Sequence, residues 1–240
     1  MLFYTSQLKN YNIQASDGEL GKIKDLYFQD AEWEIRYAVA DTRKWLPGRK
    51  VLLSPESFTR IDIENEMVEV KYDKETVKNS PPVPEDTDLT TGQEGNLIDY
   101  FGWNSFQDNA LRGTERGFLG SFHDSHPNEV VPDEPHLNRG ESESRTNLRS
   151  EDETVDFKVH AKDGKIGKIA DLIYDDRDWK IKYIVVQSNE TIVDDAFYIY
   201  RTEQVETVDW FEKDLYVKDS VKGIRDNNPF TSKREILASL

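Results

Sequence analysis

The chain has 240 residues, no cysteine and a formal net charge of −16. Without cysteine, the chain has no disulfides, no thiolate zinc sites and no cysteine nucleophile. So acidic a chain repels phosphate backbones and anionic lipid headgroups, which argues against nucleic-acid binding and against docking on a membrane. The N-terminal sequence MLFYTSQL lacks the features of a signal peptide, and no window approaches the roughly 18 apolar residues of a membrane span. We therefore expect a cytoplasmic protein without membrane insertion.

Two closely similar segments stand out along the chain. DGELGKIKDLYF begins at Asp17 and DGKIGKIADLIY begins at Asp163, a separation of 146 (from 17 to 163). In each copy the Asp-Gly pair lies between short alternating runs and predicts a hairpin with a type I′ turn. The glycine three residues later, Gly21 or Gly167, predicts a bulge or bend in the returning strand. A repeat this widely spaced indicates two related domains rather than a solenoid.

The next segment of each copy alternates with period two. From Trp33 to Val39, aromatic and β-branched residues fall on one face, which predicts a half-buried strand. The second copy keeps that face and adds Ile184 and Val186 on the other, so its sheet is expected to be covered on both sides. Further strands are predicted at 50–53, at two runs within 56–72, at 197–200 and at two runs within 203–218. The pattern predicts an all-β fold of two small antiparallel barrels.

The region between the copies changes in composition. Proline, glycine, serine, asparagine and acidic residues dominate residues 85–150, which predicts a long, partly disordered linker. The island NLIDYFGWNSF at 96–106 is too apolar for a passive spacer, so Tyr100, Phe101 and Trp103 are expected to dock on a barrel or on a partner. The predicted domains are a first barrel at 1–84, the linker at 85–150, a second barrel at 151–230 and a C-terminal tail at 231–240.

Both copies resemble the PRC-barrel family. The resemblance is carried by ASDGELGKIKDLYFQDAEWEIRYAVAD with the tail KETVKNSPPV, and again by AKDGKIGKIADLIYDDRDWKIKYIVV with DSVKGIRDNNPF. The family includes the cytoplasmic domain of the photosynthetic reaction centre H subunit and a domain of a ribosome-maturation factor. The resemblance implies two tandem barrels that serve binding or assembly, and it supplies no catalytic residue.

Few residues suggest chemistry. Asp25 and Asp171 recur within the motif KIxDL, where a carboxylate is expected either to fix a neighbouring turn or, as the resemblance to the H subunit suggests, to take part in proton transfer. His123, His126 and His136 could ligate a metal, but they lie in the predicted linker, without regular structure to fix their geometry. We therefore predict no catalytic residue, no metal and no cofactor.

The leading hypothesis is a non-catalytic protein that acts as an interaction or assembly scaffold for an unknown protein partner. Its two barrels are expected to pair about a pseudo-twofold axis within the chain, or the chain to form a homodimer. The candidate contact residues are Tyr100, Phe101, Trp103, Ile184 and Val186. Two alternatives follow from the resemblance: an accessory role in photosynthetic electron transfer, and RNA processing or ribosome maturation.

Overall fold

The computed structural model of the chain describes residues 1–43, 46, 49–103, 145–188, 196–221 and 229–240. The three linker histidines lie outside these residues. The described residues are mostly β, and their strands belong to one mixed sheet. The strands are β1 (Leu2–Tyr4), β2 (Asn12–Ala15), β3 (Gly18–Gln29), β4 (Glu34–Asp41), β5 (Val51–Leu53), β6 (Phe58–Asp62), β7 (Met67–Val70), β8 (Leu148–Ser150), β9 (Lys158–Ala161), β10 (Gly164–Asp175), β11 (Lys180–Ser188), β12 (Ala196–Arg201), β13 (Val205–Asp209) and β14 (Asp214–Val217). The helices are α1 (Thr5–Leu8), α2 (Lys74–Lys78), α3 (Thr91–Phe101), α4 (Glu151–Thr154) and α5 (Lys233–Ser239), with 3₁₀ turns at Pro55–Ser57 and Thr202–Gln204.

The sheet consists of two halves with the same strand order. The first half runs β6-β7-β2-β3-β4-β5 and the second runs β13-β14-β9-β10-β11-β12. Neighbouring strands are antiparallel except for β2 with β7 and β9 with β14, which are parallel. The prediction of purely antiparallel halves is therefore wrong. The 3₁₀ turn after β5 carries the chain into β6 without a hairpin reversal, so β7 returns parallel to β2.

Among the strands that the structure describes, neither half is closed by hydrogen bonds into a barrel. In the first half the end strands β5 and β6 are joined by a 3₁₀ turn but do not pair, and the second half repeats this at β12 and β13. Instead, β4 of the first half pairs with β11 of the second, which merges the two halves into one sheet. Within the described residues, no helix is long and apolar enough to cross a membrane.

The two predicted hairpins form, but neither has the predicted turn. Ala15 pairs with Gly18, so Ser16 and Asp17 are the central residues of the turn. The positive φ, 139°, lies at Gly18 and not at Asp17. In the second hairpin Ala161 pairs with Gly164, and neither central residue, Lys162 or Asp163, has positive φ. A type I′ turn requires positive φ at both central residues, so that part of the prediction is wrong in both copies.

The bulges predicted at Gly21 and Gly167 are confirmed by shifts of strand register beside both glycines. A Cβ atom on Gly21 would lie 1.9 Å from the carbonyl oxygen of Asp41, and one on Gly167 would lie 2.0 Å from that of Gln187. The neighbouring strand thus fills the space of a side chain at equivalent places in both halves. This close approach explains why the glycine recurs.

The two tryptophans predicted to begin a strand lie in turns instead. Trp33 has φ 54° and Trp179 has φ 55°, and β4 and β11 begin one residue later. The left-handed conformation is unfavourable for a bulky residue. Each indole stacks on an aromatic ring of its own half, with centroids 5.5 Å apart for Trp33 and Phe28 and 5.3 Å for Trp179 and Tyr174. This stacking offsets part of the backbone cost.

Each half carries a helix on the face opposite the main core. In the first half α3, within the predicted linker, buries Leu97 and Phe101 on the sheet together with Trp103. In the second half α5, within the predicted tail, buries Ile236 beside Val185. The second half of the sheet is covered on both faces, as expected. The first half of the sheet is also covered on both faces, so the prediction that β4 is half-buried is wrong.

We expect Gly21→Ala and Gly167→Ala each to lower the free energy of unfolding by more than about 1 kcal/mol, because the added methyl group collides with a backbone carbonyl. Gly95→Ala is the matched control. Gly95 lies within α3 with no atom within 4 Å of the added carbon, so alanine should raise the free energy of unfolding by about 0.5–1 kcal/mol. Urea unfolding measures all three. Equal effects at the three sites would contradict the close-approach explanation.

Candidate functional site

The halves exchange their first strands. The first arm, residues 2–8 (β1 and α1), precedes the first half, but β1 pairs with β10 of the second half. The second arm, residues 148–154 (β8 and α4), precedes the second half, but β8 pairs with β3 of the first. Leu2 pairs with Asp175, and Leu148 pairs with Gln29. Leu148 is the repeat equivalent of Leu2, and Asp175 is the equivalent of Gln29, so the two contacts have the same register. The exchange is therefore reciprocal.

The contact between β4 and β11 has the same symmetry. Glu34 pairs with Lys180, which is its equivalent in the repeat. Backbone hydrogen bonds run from Ile35 N to the Trp179 oxygen (2.8 Å) and from Ile181 N to the Trp33 oxygen (2.7 Å). Reciprocal contacts between equivalent residues are the mark of an isologous, twofold interface. A pseudo-twofold axis thus relates the two halves.

Asp25 anchors the second arm. Its Oδ2 accepts a hydrogen bond from the Ser150 hydroxyl at 2.6 Å, and its Oδ1 accepts from the backbone N–H of Asp152 at 3.1 Å. Both donors lie at the start of α4, whose first N–H groups have no partner within the helix. Oδ1 also accepts from the N–H of Leu26 at 2.7 Å. The carboxylate therefore joins β3 to the start of the exchanged helix.

Asp171 anchors the first arm in the equivalent way. The backbone N–H of Ser6, the counterpart of the Asp152 N–H, donates to Oδ1 at 3.3 Å, and the Ser6 hydroxyl donates to Oδ2 at 2.5 Å. The Thr5 hydroxyl oxygen lies 3.1 Å from Oδ1. Lys233 of α5 adds an ion pair with Oδ2 at 2.8 Å. The recurring aspartate of KIxDL thus holds the arm of the opposite half in both copies.

The residues around Asp25 and Asp171 belong to one buried polar network. Thr5 and Glu151 occupy equivalent positions of the two arms, and the Thr5 hydroxyl donates to Glu151 Oε1 at 2.7 Å. Glu151 is fully buried, and Lys9 Nζ lies 2.5 Å from its Oε2. The same ammonium lies 2.5 Å from Asp152 Oδ1. The network therefore crosses the interface between the halves with its charges partly balanced.

Burial controls the protonation of this network. Desolvation raises the pKa of Asp25 and of Glu151 above their ordinary values, although hydrogen bonds from Ser150 and Lys9, respectively, oppose the rise. Desolvation alone would lower the pKa of Lys9, but the hydrogen bonds and charges of Asp152 and Glu151 together outweigh it, so that pKa is raised. The lysine therefore stays charged and stabilises the buried carboxylate of Glu151.

The three carboxylates near Lys9 also have the spacing of a metal site. Oxygen atoms of Asp25, Glu151 and Asp152 lie within 4.8 Å of one another. Lys9 already supplies a cation to two of them, and both oxygens of Asp25 accept hydrogen bonds from the second arm or its own strand. These contacts suit a group that holds two arms together better than a group that binds an ion.

The structure places most of the predicted partner-binding residues inside the chain. Phe101 and Trp103 are 6% and 4% exposed in the core under α3, and Ile184 and Val186 are 0% exposed in the main core. The chain's own helix and sheet cover these four side chains, as expected if the island docks on the sheet, and contact with a partner stays a prediction. Tyr100 is 40% exposed and donates its hydroxyl to the Thr76 carbonyl oxygen at 2.8 Å. Tyr100 is the member of the set at the surface.

The roles of the arm residues were not predicted from the sequence. Thr5, Ser6 and Lys9 lie before the recognisable repeat, and Glu151 follows the region predicted as linker. One signal was present: Ser150 is followed three residues later by Glu153, a typical helix start, and Ser150 caps α4 through the Glu153 N–H. Three-residue strands give no periodicity to detect, so their partners could not be predicted.

Lys9→Met should be most destabilising near neutral pH. Without the ammonium, the pKa of buried Glu151 rises further above its unfolded value, so stability is lost as the pH rises from the unfolded pKa to the raised pKa, and the loss is complete above the raised pKa. We expect a loss of about 3–5 kcal/mol at neutral pH, shrinking as the pH falls towards the unfolded value of about 4.3. Urea unfolding from pH 8 to pH 4.5 measures the change.

Lys168→Met is the control for that experiment. Lys168 pairs with the exposed Asp156 at 3.7 Å, so its loss should change the free energy of unfolding by less than about 1 kcal/mol at every pH. A loss for Lys9→Met that does not vary with pH would show that Lys9 does not neutralise Glu151.

Comparison with known families bears on the first half. Residues 1–77 match the model of the PRC-barrel domain family, and this segment spans the first arm and strands β2 to β7. A search of the curated proteins found no match. Residues 1–77 are therefore similar to a PRC-barrel domain, and the first strand of that segment pairs with the other half of the same chain.

Proposed function

We propose that the chain is a single-chain dimer of two PRC-barrel units, at 1–84 and 151–230, that acts as a non-catalytic scaffold for protein assembly in the cytoplasm. The PRC-barrel domain at 1–77 supports a role in protein interaction or assembly in general. The second unit is inferred from the repeated sequence and from the strand order, bulges and glycine contacts that it shares with the first.

The reciprocal exchange of arms is the observation that carries this proposal. Each half takes a strand and a helix start from the other, and the recurring carboxylates Asp25 and Asp171 are used to hold them. Carboxylates fully occupied by hydrogen bonds within an interface favour an architectural role over proton transfer. Two units locked about one axis form a single body whose surfaces keep a fixed spacing, as a scaffold requires.

A cut between the halves tests the single-chain dimer. With a specific protease site inserted near residue 124, the cleaved fragments should stay together, because both arms and the β4–β11 contact remain intact. Size-exclusion chromatography should show the elution volume of the uncut chain in native buffer and two smaller species in denaturant. Fragments that separate in native buffer would show that the halves are independent units.

The assembly role needs a test of its own. The intact tagged chain is cross-linked in its native cells, and the cross-linked protein is identified by mass spectrometry and then purified. We expect a defined complex to form again from the two purified proteins, with fixed stoichiometry by sedimentation. Failure of every cross-linked protein to form a complex with the purified chain would count against the scaffold proposal.

A further inference from the structure

A groove runs along one outer edge of the sheet. Its volume is about 470 Å³, and it lies between the turn Asp30–Trp33 of the first half and strand β13 of the second. We call it the edge groove. Its wall on the second half is formed by Thr202, Glu203, the consecutive residues 205–208 and Trp210. The groove therefore follows a strand over most of its length and lies at the junction of the two halves.

Strand β13 has a free backbone edge in the groove. It is the last strand on its side of the sheet and pairs with β14 along one edge. Along the other edge, the Val205 N–H donates to the Thr202 carbonyl oxygen, and residues 206–209 have no backbone hydrogen-bond partner in the part of the chain that the structure describes. Unpaired edge groups of this kind can accept an added strand from another chain.

The repeat explains why the groove is open here. Phe58 pairs with Val70 at the start of β6, and Val205 pairs with Val217 at the equivalent place in β13. The Phe58 ring packs edge-on against Trp179, with centroids 5.4 Å apart. At the equivalent place beside Trp33, the residue is Val205, whose side chain is smaller than that of phenylalanine. Trp33 and Val205 both line the edge groove. Exchange of phenylalanine for valine thus leaves space beside one of the two tryptophans.

The charge of the groove selects its occupant. Glu32, Glu203 and Glu206 line it, are exposed, and form no ion pair with any other described residue. The fourth acid, Asp30, pairs with Arg149, whose guanidinium lies 4.5 Å from the ring centre of Trp210. Three unbalanced carboxylates favour lysine or arginine side chains by charge.

We propose that the edge groove binds an extended, lysine- or arginine-bearing segment of a protein partner, which adds as a strand to β13. This inference rests on the proposed assembly function and names the contact through which it would operate. Backbone hydrogen bonds to β13 supply affinity in this mode, and the carboxylates and the space at Val205 select the side chains.

A designed peptide tests the site on the intact chain. The probe is a six-residue peptide of alternating lysine and valine, and the control is the same peptide with glutamate in place of lysine. We expect the lysine peptide to shift the amide NMR signals of residues 205–208 and the indole signals of Trp33 and Trp210, and the glutamate peptide to leave them unchanged. Shifts scattered over the acidic surface, or none at β13, would overturn the proposal.

Two variants locate the binding. Val205→Phe copies the other half and fills the groove, so it should fold with unchanged thermal stability and weaken peptide binding at least tenfold. Glu203→Lys with Glu206→Lys should weaken it by a similar factor, whereas Glu212→Lys, on the exposed turn after β13, should have little effect. Wild-type affinity in Val205→Phe would overturn the proposal, as would a dimer formed through β13 in the absence of peptide.

The same variants separate the two proposals. If the cross-linked partner binds Val205→Phe as tightly as the wild-type chain, the edge groove is not its site, and the scaffold function stands. If the lysine peptide binds at β13 but no protein complex can be reconstituted, the groove is a peptide site and the scaffold function fails.

Discussion

The exchange of arms is the interaction on which the rest of the structure depends. Strands β3 and β10 each obtain an edge partner from the opposite half, and Asp25 and Asp171 each obtain donors from the opposite arm. Removing an arm would leave a buried carboxylate without its partners, which costs more free energy than the loss of a surface contact. The covering helices, the merged sheet and the edge groove all rely on the alignment that this exchange fixes.

Duplication within one chain allows a contact that two identical chains could not make. Thr5 and Glu151 occupy equivalent positions and meet directly beside the pseudo-twofold axis. In a symmetric homodimer the same position would face itself, and two buried glutamates would repel one another. With threonine on one side, a single carboxylate accepts a hydrogen bond and is balanced by Lys9. The same freedom to diverge replaces Phe58 by Val205 and opens one groove.

Much of the local structure could be predicted from the sequence, and most of its long-range arrangement could not. Period-two alternation located β4, β11 and the later strands, and the glycines located the bulges, because these features depend on neighbouring residues. Trp33 at positive φ was missed because its conformation is stabilised by stacking on Phe28, a contact outside the local pattern. The roles of Asp25 and Asp171 depend on donors 125 and 165 residues away, which no local pattern reveals.

The crossed arms impose an order on synthesis. A chain emerging from the ribosome exposes β1 long before β10, its partner, has been made. The first half likewise lacks β8 until residue 150 has been added. N-terminal units usually fold first during translation, but here the first half cannot be completed before the second begins. Strand β1 therefore stays unpaired until β10, at Gly164–Asp175, has been made, and neither half can be completed alone.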